Sequence, residues 1–255
     1  MKASRAATPL ATSVVTGLTI AAATLATQAH ATIVEFQTSQ GSFQVNLFDQ
    51  KTPTTVANFL GYVERGDYQS TYVHRSVEDF IIQGGAYSFD GQAEAIETQA
   101  PIINEPVFSN VAGTIAMAKV GGKVNSATSQ WFFNIADNSA NLDLQNGGFT
   151  VFGQVIGEGM KVVNAINALQ TCGEIPMLDY SAEQCSQGED AVRANLVMIN
   201  DIVVIDNDPN SAIDLTPVEN TLIDEVEPQS DSDSGAAWWF APLALLVALR
   251  RRTVR

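Results

Sequence analysis

The sequence predicts a mainly β domain, a barrel or a sandwich with two helices, between about Thr32 and Asp206. Three observations predict it. Short runs with the alternation of half-buried strands recur along this stretch, separated by Gly-containing turns. Only two windows carry the period of an amphipathic helix. Composition changes sharply near both boundaries, so the flanks are read apart from the fold.

Ile33 to Gln37 and Ser42 to Phe48 make the first hairpin. Phe43, Val45 and Leu47 alternate with Gln44 and Asn46, and Gln40-Gly41 supplies the turn. Thr52 then offers an N-cap, with Pro53 at the first helical position. Val56, Phe59, Leu60 and Val63 fall on one face of a helix that ends near Gly66. Strand-like runs follow at Tyr72–Arg75, Asp79–Gln83, Thr114–Ala118, Gln130–Ile135 and Val151–Val155. A second helix is expected from Glu158 to about Leu169, burying Val162, Val163, Ile166 and Leu169. Leu196 to Ile205 reads as a last long strand. Many short strands with two helices suit a barrel or a sandwich, and the pattern alone does not choose.

Residues 1–31 have the layout of a secretory signal peptide. Lys2 and Arg5 precede a small-residue and apolar run from Ala6 to Ala26, closed by Ala29-His30-Ala31. Cleavage there would make Thr32 the first residue. Residues 207–234 read as an acidic disordered linker. From Asp206 to Ser234 there are nine acidic residues and no Lys or Arg, and Pro209, Pro217 and Pro228 interrupt any helix. So little apolar surface does not offset the entropy of ordering. This stretch supplies more than half of the formal charge of −15, so the acidity says little about the domain beyond arguing against nucleic acid as a partner.

Residues 235–255 form a hydrophobic C-terminal segment. The apolar run from Ala236 to Leu249, with Trp238 and Trp239, ends in Arg250, Arg251 and Arg252. Its 14 residues fall short of the roughly 20 that span a bilayer, and the Arg cluster suits the cytoplasmic side. This end resembles the bacterial sorting tails called GlyGly-CTERM, with the Gly-rich part reduced to Gly235; a plain weak anchor is the other reading. The protein is therefore expected to be exported. It would lie in the periplasm, at the inner membrane or on the cell surface, touching membrane only through this tail.

Much chemistry is excluded. Without the leader, His74 is the only His, so a Ser-His-Asp triad would rest on one residue beside Arg75 in an alternating strand. His74, Cys172 and Cys185 are too few and too dispersed for zinc. Gly153, Gly157 and Gly159 match neither a dinucleotide-binding nor a P-loop spacing. No metal and no cofactor are expected. Cys172 and Cys185 lie thirteen positions apart in a polar loop. A disulfide there would add roughly 3 kcal/mol in an oxidising compartment; two free thiols are the alternative.

Three blocks carry a specific signal. His74-Arg75 is followed by Phe80-Ile81-Ile82-Gln83-Gly84-Gly85, then Gly113-Thr114-Ile115-Ala116-Met117-Ala118-Lys119, then Ser126-Ala127-Thr128-Ser129-Gln130-Trp131-Phe132-Phe133-Asn134. In this order, with Leu142-Asp143 and Val151-Phe152-Gly153-Gln154-Val155, they resemble the cyclophilin-type peptidyl-prolyl cis-trans isomerases, in a bacterial, periplasmic-like form. The resemblance spans roughly Thr32 to Asp206. It implies an eight-stranded antiparallel barrel capped by two α-helices, acting as a monomer on proline-containing polypeptide clients.

Rotation about an X-Pro bond faces a barrier of about 20 kcal/mol, because resonance holds the amide planar. Lowering it needs no covalent step. It needs a grip on the proline ring and a fixed donor for the lone pair that appears on nitrogen as the amide twists. The resemblance implies Arg75 as that donor, its guanidinium charged at any relevant pH. Phe80 and Gln83 are implied as the other catalytic residues, Gln83 orienting Arg75 and the substrate carbonyl. Ile81, Phe132, Leu142 and Phe149 would complete the apolar pocket. Ala118, Lys119 and Gln130 would line the peptide groove. Each has a plainer reading: Phe80, Phe132 and Leu142 as core, Arg75 as a surface residue paired with Glu78 or Asp79, Gln83 as a turn residue.

The sequence also departs from the family pattern. Lys119 stands where most members have Asn, and Asn141 where cyclosporin-sensitive members have Trp. Phe149 replaces the His of many eukaryotic members and makes the pocket more apolar. Trp131 replaces the first Phe of a pair and should face away from the pocket, since neighbours on a strand point to opposite sides. An active isomerase is the primary reading. A proline-peptide binding module or chaperone with weak or no isomerase activity is the alternative, and it has no need of Arg75.

Overall fold

The computed structural model describes residues 32–207, 211 and 215–225. The predicted leader, the hydrophobic C-terminal segment and residues 226–234 lie outside the described residues. The strands are β1 (Ile33–Thr38), β2 (Gly41–Leu47), β3 (Thr71–Tyr72), β4 (Arg75–Val77), β5 (Ile81–Gly84), β6 (Tyr87–Phe89), β7 (Ala93–Ala95), β8 (Thr114–Met117), β9 (Trp131–Asn134), β10 (Val151–Ile156), β11 (Thr171–Cys172), β12 (Ile175–Pro176) and β13 (Met198–Asp206). The helices are α1 (Pro53–Glu64), α2 (Ser139–Leu142), α3 (Gly159–Asn167) and α4 (Ala182–Gln187).

One antiparallel sheet, in the order β4-β5-β9-β8-β10-β2-β1-β13-β3-β6-β7, curls into a half-barrel. The first eight strands of that order match the predicted number. β3, β6 and β7 then extend the sheet beyond β13, taking it to eleven strands. The predicted strand Tyr72–Arg75 divides into β3 and β4 with His74 between them, while β6 and β7 are three residues long and β7 is wholly exposed, so those two leave no periodic trace in the sequence. α2 and α4 are likewise too short to show a helical period, which is why four helices stand where two were predicted.

The alternation in β1 and β2 turns Phe36, Phe43, Val45 and Leu47 inward. Phe36 stacks on Phe43 at 5.1 Å and meets Trp131 and Phe133 edge-on at 5.2 and 5.3 Å. Each such pair adds about 1 kcal/mol beyond its buried area. α1 closes on this core with Val56, Phe59 and Tyr62, and α3 with Val163 and Ile166; Leu60, Val63, Val162 and Leu169 pack at its margin.

The start of α1 differs from expectation. Thr52 is the N-cap residue, but its hydroxyl donates to the Phe48 carbonyl and does not cap. The carboxylate of Glu105, some fifty residues on, accepts from Thr54 N, Thr55 N and Thr55 Oγ1 at 3.3, 2.9 and 2.7 Å. A carboxylate satisfies the orphan N–H groups and also complements the helix dipole.

The acidic stretch after β13 also departs from the linker reading. Residues 215–220 return to the barrel. Ser109 N donates to Val218 O at 2.8 Å and Asn220 N to Val107 O at 3.0 Å, around a bridge between Phe108 and Glu219. Leu215 packs beside Phe48 and Phe108. Asn220 is buried; its Nδ2 donates to Asp143 O at 3.1 Å, and its Oδ1 accepts from Leu222 N and Ile223 N. Backbone groups and one Asn dock this strap, and a count of acidic side chains does not register them.

Between α3 and β13 the chain makes an excursion with a small core of its own. Met177, Tyr180 and Leu196 pack against Tyr72, Phe89 and Met198. Cys172 and Cys185 are joined in a disulfide, with their Cα atoms 5.6 Å apart.

Candidate active site

The pairing of β4, β5, β9 and β8 builds the site. Arg75 lies opposite Gln83, Gln83 opposite Phe132, and Phe132 opposite Ala116. Directly opposed residues share a face, so these four make one row across the outer side of the sheet. Their strand neighbours Ile82 and Phe133 point into the barrel core. Trp131 does the same, as its alternation with Phe132 requires. The Gly84-Gly85 pair follows from that Trp. A Cβ at Gly84 would lie 2.5 Å from the Trp131 ring, and one at Gly85 would lie 2.7 Å from Ser129 O at a φ of +77°.

Beside the row, Ile81, Phe132, Leu142 and Phe149 form a second apolar cluster, with Phe80 and Ala118 partly exposed at its edge. Phe132 meets Phe149 edge-on at 5.7 Å. Phe132, Leu142 and Phe149 are each no more than 3 % exposed, so most of their surface supports the wall and only the edge faces solvent. The structure thus brings the predicted pocket residues together.

The loop carrying Leu142 and Phe149 is held by a buried polar network absent from the sequence reading. Asp143 accepts from Ser109 Oγ, from Asn110 N at 2.7 Å and from Asn110 Nδ2 at 2.9 Å. Asn134 Nδ2 donates to Asn110 Oδ1, Asn138 Nδ2 donates to Asn134 Oδ1, and the same Nδ2 reaches Phe80 O at 3.0 Å. One hydrogen-bonded chain therefore links both walls of the pocket. Asn134 ends the third signature block, but Asn110 and Asn138 lie at no motif spacing, so only the fold reveals the chain they make with it.

Lys119 takes a position the sequence does not suggest. Its Nζ donates to Asn146 O at 2.8 Å and to Gly148 O at 2.6 Å, 5.0 Å from the centroid of the Phe149 ring. The side chain thus clamps the pocket loop from below. Ala118 N is engaged by Gln130 O at 2.9 Å. Asn141 is exposed at the rim.

Gln83 Nε2 donates to Gln130 Oε1 at 2.9 Å, tying a groove residue to the row. The acid on Arg75 is neither Glu78 nor Asp79. Glu174 Oε2 accepts from Arg75 Nε at 2.8 Å, and Oε1 accepts from Nη2 at 3.4 Å. No local spacing could have found that partner, ninety-nine residues away. His74 packs edge-on against Tyr87 at 5.4 Å, and its pKa is pushed down to about 4, by burial first and then by the Arg75 charge. It is neutral at neutral pH.

The family model described as "Cyclophilin type peptidyl-prolyl cis-trans isomerase/CLD" matches residues 33–187. The chain is 43% identical over 144 residues to peptidyl-prolyl cis-trans isomerase A of Dickeya dadantii, covering 55% of this chain and 73% of that protein. It is 40% identical over 158 residues to a peptidyl-prolyl cis-trans isomerase of Acinetobacter baylyi, covering 61% and 80%. Among solved structures, a Cryptosporidium parvum cyclophilin type isomerase in the presence of the dipeptide Ala-Pro matches with TM-score 0.51 at 24% identity, over 69% of this chain and 99% of that one. That likeness speaks for the fold. With a family match over more than half of its length and relatives above 30% identity, the chain belongs to the cyclophilin-type peptidyl-prolyl cis-trans isomerases and is an isomerase of that kind.

Proposed function

We propose that this isomerase acts on X-Pro bonds in exported, extended or unfolded polypeptides, without cofactor or covalent intermediate. The observation that carries the reading is the row of Arg75, Gln83 and Phe132 in direct register beside the apolar cluster. Phe80 with Ile81, Phe132, Leu142 and Phe149 would receive the proline ring. Arg75 would donate to the prolyl nitrogen as it becomes pyramidal, an interaction stronger in the twisted state than in the planar one. Gln83 and Gln130, joined to each other, would hold the flanking carbonyls. Ala118 and Lys119 would edge the groove, Lys119 acting through the loop it clamps.

Export is supported by the leader-like residues 1–31 and by the disulfide, which oxidising compartments favour. The apolar tail with its Arg cluster supports a stay at the inner membrane or processing toward the cell surface.

A protease-coupled assay on an X-Pro peptide tests the core of this reading. Arg75→Ala is expected to lower turnover on the order of a hundredfold or more with the circular dichroism unchanged. Arg75→Lys is expected to recover little, because a point charge lacks the planar fork. Near-normal isomerisation by folded Arg75→Ala would remove the assignment.

A further inference from the structure

We propose that Glu174 is a positioning residue for Arg75, delivered by a hairpin that a disulfide ties to α4 and that holds the guanidinium beside the pocket. The inference rests on the reading of Arg75 as catalytic.

Glu174 follows Gly173 in the two-residue turn between β11 and β12, where Cys172 pairs with Ile175. Gly173 has a φ of +64°, a value this kind of turn demands. The turn is sewn to the strand it serves. Ser76 N, the residue after Arg75, donates to Glu174 O at 2.6 Å. Ser76 Oγ and Val77 O accept from Asn167 Nδ2 at 2.9 and 3.0 Å, which ties the same strand to α3. Cys172, the residue just before the turn, is bridged to Cys185 in α4 and packs at the edge of the small core around Met177 and Tyr180. The turn thus presents a carboxylate to Arg75 while its backbone holds the residue that follows Arg75.

The Arg75 side chain is 19% exposed and that of Glu174 is 55%, so a largely covered guanidinium is held by a carboxylate that solvent still reaches. An Arg side chain otherwise carries considerable rotamer entropy. A guanidinium has five N–H donors, and Glu174 engages only the Nε–Nη2 edge. The pair fixes the plane of the fork through that edge. The expected signature is therefore a change in turnover with the fold and the ground-state binding kept.

The test uses the full chain after removal of its leader, with kcat and KM measured on one X-Pro peptide. Glu174→Ala is expected to lower kcat by about fivefold to tenfold, as misplacement of a catalytic group does, with KM and the unfolding midpoint nearly unchanged. Glu174→Gln, which keeps an acceptor, recovers part of the loss. In an Arg75→Ala background Glu174→Ala costs nothing further. The double variant Cys172→Ser/Cys185→Ser lowers kcat in the native chain and much less when Glu174 is already Ala. An unchanged or raised kcat in folded Glu174→Ala, or equal losses from the Cys changes in both backgrounds, overturns the proposal. If Arg75→Ala itself turns over normally, the catalytic reading of Arg75 has failed. If Arg75→Ala is inactive and Glu174→Ala is not impaired, only the positioning role has failed.

Discussion

His74 packs against Tyr87 and next to Arg75, and burial with that neighbouring charge lowers its pKa from 6.5 to about 4. The folded protein then resists a proton that the unfolded chain accepts. Stability is complete above pH 6.5 and declines as pH falls toward 4, where the folded state takes the proton too. At about 1.4 kcal/mol per pKa unit, the decline attributable to this residue is about 3 kcal/mol. Denaturant unfolding at pH 7 and pH 4 should therefore show a pH-dependent loss smaller by that amount in His74→Asn than in the native chain. Equal losses in the two proteins reject the role. The same neighbourhood shows what a sequence makes legible at this scale. Arg75, Gln83 and Phe132 could be picked because their motif positions fall into register once the strands pair. Glu174, Asn110 and Asn138 could not, because their contacts join distant parts of the chain through residue types common on any surface.

At the scale of elements, patterns a few residues long were legible wherever burial is one-sided. β1, β2, α1 and α3 lie within a residue or two of where alternation and helical period put them. What escaped was structure made by hydrogen bonds between distant segments. The Glu105 cap of α1 is one case, and the strap at 215–220 is the other. Asn220 gives the strap a testable weight. Its side chain accepts from two backbone N–H groups and donates to Asp143 O, the carbonyl next to Leu142 in the pocket wall. Asn220→Ala leaves the buried Asp143 carbonyl and two half-buried N–H groups without this partner and should cost about 1–3 kcal/mol. Thermal unfolding would read the loss, together with a rise in KM as the 142–149 loop loosens. A chain ended after Asp206 should show both effects more strongly. Unaltered melting of both variants would mean that the strap does not support the wall.

For the molecule as a whole, the fold class was legible because many short strands, two periodic helices and three signature blocks agree with one another. The leader and tail belong to this scale. Intact-mass measurement on protein from fractionated cells is expected to find residue 32 at the start, and a chain either cut near Ser234 or Gly235 or retained with the inner membrane. A cytoplasmic species carrying both Met1 and Arg255 would refute these targeting expectations and leave the isomerase assignment standing. The strap adds a matter of attachment. Because residues 218–220 run along Val107–Ser109 and reach Asp143, the last described residues lie on the pocket-wall side of the barrel rather than off the end of β13. A membrane-held form would hang from a point next to its own mouth. Its working radius would be short, and the bonds it reaches would be those of chains still close to the surface from which they emerge.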